Sequence, residues 1–345
     1  MGRANFPASK IANLRLQLLA WYQASHRDLP WRRTRDPYRI WVSEIMLQQT
    51  RVVAVLDRYR AFIERFPTLT ALATAREDEV LALWSGLGYY RRARMLHRAA
   101  QQVAAELDGQ MPRTAAELRR LPGIGAYTSA AIASIAFDEP VAAVDGNVER
   151  VLCRVAGWDA AADGIDGRIR RLADELANPE LPGDWNQAMM ELGATVCSPR
   201  SPQCSLCPIR EACKTRGEHP TAPRQKMRSQ QIGQALVLRF GPEPGPAHRQ
   251  VLLEQRGRQE TVMAGMWELP ALGDLDIPDE DLRFTLRHAI MQVNYTVRIR
   301  VVEPGDVAHL TRRGGRRHWV PIAEAAALPL TGLARKALHR ARLIP

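Results

Sequence analysis

Four cysteines, Cys197, Cys204, Cys207 and Cys213, fall in the pattern C-x6-C-x2-C-x5-C within seventeen residues. Thiolates bunched so closely can converge on one centre, and four soft ligands suit either a tetrahedral zinc or an iron-sulfur cluster. Structural zinc sites usually pair two C-x2-C knuckles. Here a single C-x2-C is flanked by two outliers, which favours a cluster with four iron corners over zinc, and either over disulfides. Cys153, inside Val151-Leu152-Cys153-Arg154, reads as a small core residue.

Carboxylates supply the second chemistry. Val144-Asp145-Gly146-Asn147-Val148 stands where an apolar segment stops and a helix begins, so Asp145 or Asn147 is either a helix N-cap or a functional group. The functional reading needs a partner, and Glu44 is a candidate. It shares a helix face with Ile40, Trp41 and Ile45, where desolvation would keep it protonated as a general acid; the alternative is a solvated face of that helix. Two carboxylates in unlike environments can divide glycosidic-bond cleavage, one protonating the leaving group and the other stabilising an oxocarbenium-like sugar. About twenty residues before Asp145, Leu121-Pro122-Gly123-Ile124-Gly125-Ala126 sits between helical segments. It is an ordinary interhelical turn or a helix-hairpin-helix whose exposed backbone N–H groups hold a phosphate.

The elements that must position these groups are legible in outline. Apolar residues recur at helical spacing from residue 10 to 215, punctuated by Pro and Gly. Asp36-Pro37 opens one helix with an N-cap and a first-turn proline, and a second is expected to open at Thr74 with Glu77 completing a capping box. Residues 214–230 are polar and contain proline, which marks a linker between a catalytic domain at 1–213 and a second domain at 231–345. Strand patterns follow at Ala235–Leu238, Val251–Leu253 and Val293–Val301, so the second domain mixes α and β. The net charge of +11 arises from 48 Lys and Arg against 37 Asp and Glu, and only Lys10, Lys214, Lys226 and Lys336 are lysines. That balance points to a polyanionic partner, nucleic acid ahead of membrane, unless a bias toward Arg explains it. With no membrane-spanning run, no signal peptide and free thiols, a soluble cytoplasmic protein is expected.

Six segments together carry a resemblance. Leu29-Pro30-Trp31-Arg32, Trp41 to Thr50, Gly86-Leu87-Gly88-Tyr89-Tyr90, the Gly123/Gly125 hairpin, Val144 to Val148 and the cysteine cluster resemble the MutY-type adenine DNA glycosylases, densely over about residues 20 to 215. The resemblance implies a mainly α helix-hairpin-helix glycosylase fold of the endonuclease III superfamily with a [4Fe-4S] cluster on the four cysteines. It also implies base excision repair on double-stranded DNA, as a monomer, with adenine opposite 8-oxoguanine or guanine flipped out and hydrolysed from its sugar. Carried over by motif position, Glu44 is the acid on adenine, Asp145 the carboxylate at the sugar cation, and Asn147 the residue that holds Asp145. Arg32 and Glu191 contact the flipped base beside Trp31. Gln49, Thr50, Leu87 and Tyr89 fill the emptied stack, whereas residue chemistry alone would make Tyr89 a core aromatic. Gly123, Gly125 and Arg200 meet the DNA backbone. Bifunctional relatives carry a Schiff-base lysine two residues after the second hairpin glycine; here Tyr127 stands there, which implies a monofunctional enzyme.

The C-terminal region resembles the Nudix-like module of the same family through Ala264-Gly265-Met266-Trp267-Glu268-Leu269-Pro270. It lacks the paired glutamates that would hold magnesium for hydrolysis, so it reads as a module that inspects 8-oxoguanine. Where many relatives carry phenylalanine-serine-histidine, this chain has Ile290-Met291-Gln292, which cannot reproduce a serine hydroxyl and an imidazole. Two other readings stay open: a relative acting on thymine in a T·G mismatch, and a non-enzymatic DNA-binding protein.

Overall fold

The computed structural model describes residues 6–217, 226–241, 248–257, 259–260, 262–273, 281–290, 292–310 and 315–345. Residues 218–225 of the expected linker, the acidic stretch 274–280 and Met291 lie outside the described residues. The chain divides into two compact units, one of Met1–Ala73 with Arg98–Pro223, the other of Thr74–His97 with Arg224–Pro345.

The first unit is helical. It holds α1 (Ala8–Ser25), α2 (Pro37–Leu47), α3 (Val52–Arg65) and α4 (Leu69–Ala73). The chain then runs through α5 (Glu77–Leu83) and α6 (Arg91–Glu106), within which the division falls. It continues with α7 (Ala115–Leu118), α8 (Ala126–Phe137), α9 (Gly146–Ala156), α10 (Ile165–Leu176) and α11 (Pro182–Thr195). In α9, Val148, Val151, Leu152 and Val155 recur at helical spacing and are buried against Leu14 and Leu18 of α1, Leu172 of α10, and Trp185, Met189 and Leu192 of α11. Each such side chain contributes about 1.5–3 kcal/mol by leaving water, and together they fix the N-terminal end of α9, where Asp145 sits.

Of the two expected helix starts, one forms and one does not. Asp36 caps α2 as expected, its Oδ1 accepting from the Tyr38 N–H at 2.9 Å. Thr74 does not cap a helix: it lies in the turn that leaves α4, and α5 starts after Arg76 with no side-chain cap. The capping box occurs instead at Thr114 and Glu117, at the start of α7.

The second unit is built on strands β1 (Arg228–Phe240), β2 (Arg249–Gln255), β3 (Trp267–Glu268), β4 (Ala271–Leu272), β5 (Leu282–Ile290), β6 (Val293–Val302) and β7 (Arg316–Pro321), with α12 (Ile322–Ala325) and α13 (Gly332–Arg340). The sheet order is β3-β2-β1-β6-β5, with β4 on β1 and β7 on β2. β1 and β6 are parallel, and β5 and β6 form an antiparallel hairpin. β1 begins at Arg228, inside the stretch read from composition as linker, because ladder pairing with β6 starts there. One face of the sheet buries Leu236, Leu286, Val297 and Ile299 against Leu333, Ala334 and Leu338. Segment Thr74–His97 joins this unit through Ser85 and Tyr90, whose hydroxyls donate to the Leu330 carbonyl at 3.2 and 3.3 Å, and through Arg335 Nε, which donates to Ser85 Oγ at 2.7 Å. No shift in composition announces that grouping.

Candidate active site

Glu44 lies two turns into α2 and is only 6% exposed, packed among Ile40, Trp41 and Ile45. Burial is the largest influence on its carboxyl and lifts it to about 7; a hydrogen bond from Tyr127 opposes this, and the nearby charge of Asp145 reinforces it. Glu44 can therefore carry a proton at neutral pH. Tyr127, in the first turn of α8, donates its hydroxyl to Glu44 Oε2 at 2.6 Å, with Met190 Sδ at 3.0 Å on its other side. Burial raises the phenol well above its ordinary range, so it stays a donor.

Asp145 is a helix cap, as its sequence allowed, and it also lines the cleft. It caps α9, with Oδ1 accepting from the N–H groups of Asn147 at 3.0 Å and Val148 at 2.8 Å. The cap does not remove it from the cleft. Oδ2 accepts from Asn147 Nδ2 at 3.0 Å, and Asn147 is held in turn by Arg150, whose Nη2 donates to Asn147 Oδ1 at 2.9 Å and to the Gly193 carbonyl at 2.8 Å. Arg150 Nε reaches the Cys197 carbonyl at 3.0 Å. A continuous chain of hydrogen bonds thus runs from Asp145 to the first cysteine of the cluster.

Glu191, on α11, has no exposed side-chain area and is ion-paired to Arg27 at 2.6 Å and Arg32 at 2.8 Å. Burial alone would raise its carboxyl, but the hydrogen bonds from the two arginines outweigh it and bring it down to about 2. One cleft therefore contains a carboxyl that holds its proton near neutrality and a carboxylate that does not. Arg27 was missed in the sequence; its signal, an arginine in Arg27-Asp28-Leu29-Pro30-Trp31-Arg32, is indistinguishable there from the other surface arginines.

One cleft brings together Trp31, Arg32, Glu44, Gln49, Thr50, Tyr127, Asp145, Asn147 and Glu191. Gln49 occupies the left-handed region at φ 56°, an uncommon conformation without glycine that marks the tight turn between α2 and α3. The remaining sequence-derived candidates lie elsewhere. Leu87 and Tyr89 belong to the second unit. Tyr89 is 49% exposed rather than a core residue, and the Arg92 guanidinium lies over its ring at 5.4 Å while donating to the Leu87 and Gly88 carbonyls. Gly123, at φ 77°, makes the turn before α8, and Gly125 is the N-cap position of that helix. Arg200 is exposed in the loop after Cys197.

Cys197, Cys204, Cys207 and Cys213 line one separate cavity, together with Arg154, Arg210 and Arg216. Arg154 is buried, and its Nη1 lies 3.3 Å from Cys197 Sγ and 2.7 Å from the Ser198 carbonyl. Among the described residues no three Cys, His, Asp or Glu side chains converge on a single ion. Cys153 is buried in the core, as its neighbours suggested.

Comparison with known proteins agrees with this geometry. The family model described as HhH-GPD superfamily base excision DNA repair protein matches residues 42–177. A human protein named adenine DNA glycosylase is 49% identical over 219 residues, which is 60% of this chain and 40% of the relative, so the chain spans about two fifths of that relative's length. A Mycolicibacterium smegmatis protein of the same name is 45% identical over 195 residues, 56% of this chain and 67% of the relative. Among solved structures, a thermostable thymine-DNA glycosylase matches with a TM-score of 0.56 and 30% identity over 60% of this chain and 97% of that one. The chain belongs to the adenine DNA glycosylase family of the HhH-GPD base excision DNA repair superfamily.

Proposed function

We propose that the chain is a monofunctional DNA glycosylase that hydrolyses adenine from duplex DNA where it stands opposite 8-oxoguanine or guanine. One observation carries the reading: Glu44, shifted by burial to about 7, shares a cleft with the carboxylate Asp145, whose oxygens are fixed by the first turn of α9. Protonated Glu44 gives its proton to the departing base. Asp145 then faces the sugar as positive charge develops there, and water completes the hydrolysis. Glu191, with Arg27 and Arg32, forms the polar wall toward the base. Tyr127 offers a phenol and no amine, and among the described lining residues of the cleft there is no lysine to form a Schiff base.

DNA is held on this reading by the hairpin and by arginines. Gly123 requires its positive φ, but Gly125 does not: its φ is −90° and a Cβ there would meet no protein atom within 4 Å. Open space at a helix N-terminus suits a phosphate, and it accounts for a glycine that the protein itself does not need. Arg200 would meet the backbone from the cysteine loop, while Leu87, Tyr89, Gln49 and Thr50 would occupy the stack emptied by the flipped base.

The four cysteines fit a [4Fe-4S] cluster. They are soft donors that line a single pocket, and the buried Arg154 cation offsets thiolate charge. Cys197, Cys204, Cys207 and Cys213 would hold it. When bound, such a group would cross-link the loop that follows α11 and supply a redox-active centre. The organisation into a catalytic domain at 1–213, a linker at 214–230 and an 8-oxoguanine-reading module at 231–345 is part of the same proposal.

The test is excision from a panel of mismatched duplexes under single-turnover conditions. Adenine release from A·8-oxoguanine and A·G, leaving an abasic site that breaks only after alkali, is the expected result. Thymine release from T·G, or scission without alkali, would overturn it.

A further inference from the structure

The turn 86–90, between α5 and α6, has a backbone that its surroundings must impose. Gly86, Gly88 and Tyr89 take positive φ values of 98°, 68° and 48°. Three left-handed residues within four form an unfavourable run, and Tyr89 lacks the freedom of glycine to accept it. Two sets of hydrogen bonds hold it. Within the turn, Trp84 Nε1 donates to the Gly88 carbonyl at 3.2 Å, and Arg92 Nη2 donates to the Leu87 and Gly88 carbonyls at 3.1 and 3.2 Å. At its two ends, Ser85 and Tyr90 donate their hydroxyls to one oxygen, the Leu330 carbonyl, at 3.2 and 3.3 Å. Trp84, Ser85, Leu87 and Tyr90 are buried, while Tyr89 is exposed.

The oxygen that closes the turn is itself fixed. Leu330 is fully buried, and its neighbours bracket Trp267: the Trp267 N–H donates to the Pro329 carbonyl at 3.0 Å and the Thr331 N–H to the Trp267 carbonyl at 2.8 Å. Arg335, on α13, completes the arrangement. Its Nε donates to Ser85 Oγ at 2.7 Å and its Nη2 to the Ala326 carbonyl at 3.1 Å. A hydroxyl that accepts from a guanidinium must aim its own hydrogen elsewhere, here at Leu330, so Arg335 sets the direction of the Ser85 bond. All of these groups belong to the second unit. We infer that Ser85 and Arg335 are positioning residues for Tyr89, through which the C-terminal part of the chain governs discrimination of the base opposite adenine. The inference rests on the glycosylase reading, in which Tyr89 occupies the stack emptied by the flipped base. A ring in that place lies against the base left behind, so its pose bears on which opposite base is accepted.

The experiment measures single-turnover excision of adenine opposite 8-oxoguanine and opposite guanine by the full chain. It compares wild type, Arg335→Met, Ser85→Ala, Tyr89→Ala, and each of the first two variants combined with Tyr89→Ala. The ratio of the two rate constants is the readout, because a loss of folded protein affects both substrates alike and cancels. Arg335→Met and Ser85→Ala should each lower the ratio about fivefold or more, and neither should lower it further once Tyr89 is alanine. A wild-type ratio in either single variant overturns the inference. So does an equal fall with and without Tyr89, since the effect would then bypass the turn. If Arg335→Met does not fold, Ser85→Ala decides alone. A second measurement uses 2-aminopurine placed beside the base opposite adenine, whose emission should rise as Tyr89 enters the stack and rise less with either variant. If wild type releases no adenine, the glycosylase reading fails, and this signal still decides the positioning. No rise with wild type, or the same rise with the variants, overturns it.

Discussion

Glu44 must be protonated to act as the acid, and burial places its titration at about 7. The sign follows directly: the excision rate constant should be highest below that pH and fall about tenfold per pH unit above it as the proton is lost. Glu44→Gln should abolish that limb along with the activity. A rate that rises through pH 7 and keeps rising would remove Glu44 from the role. Asp145 allows a cleaner substitution, because asparagine caps helices as well as aspartate does. Asp145→Asn should keep its cap bonds to Asn147 and Val148, bind duplex as wild type does, and lose excision by about a thousandfold or more. Gly125→Ala tests the hairpin. Since its Cβ would meet no protein atom, melting should be unchanged, while duplex affinity should fall roughly tenfold if a phosphate sits there. Unchanged affinity would make the glycine incidental.

At the scale of elements, the site depends on how closely α11 approaches α9. A Cβ on Gly193 would come within 2.7 Å of Asn147 Cβ and 3.1 Å of its carbonyl oxygen, so Gly193→Ala must push Asn147, and with it Asp145, out of place. The expected cost is about 1–3 kcal/mol of stability from overpacking, read as a lowered melting temperature, together with slower excision; wild-type values of both would show that the helices yield freely. This dependence was not legible in the sequence. Glu44, Asp145 and the cysteines stand out as candidates because each lies in a short contiguous segment that carries its own pattern. Gly193 and Arg27 do not, because their partners Arg150 and Glu191 lie 43 and 164 residues away and only the folded packing of α1, α9 and α11 joins them. Thr74 shows the opposite failure: a capping pattern was present, but the chain there was still leaving α4. β5 carries its own signal, since Leu282, Phe284, Leu286, His288 and Ile290 alternate, but the motif at its tip masks that period.

At the scale of the molecule, a net charge of +11 carried almost wholly by arginine suits the proposed function, in which a polyanion is held while one carboxyl protonates a base and another faces its sugar. The four cysteines, the most conspicuous feature of the sequence, line their own cavity, and Arg150 and Asn147 link the Cys197 carbonyl to Asp145. The central claim is that Asp145 and Glu44 together remove adenine. It is tested most directly by single-turnover incubation of wild type and Asp145→Asn with an A·8-oxoguanine duplex, measuring free adenine and alkali-labile sites. Stoichiometric adenine from wild type and essentially none from Asp145→Asn, with both proteins binding the duplex, is the expected result; equal adenine release by the two, or none from a wild type that binds, would contradict it.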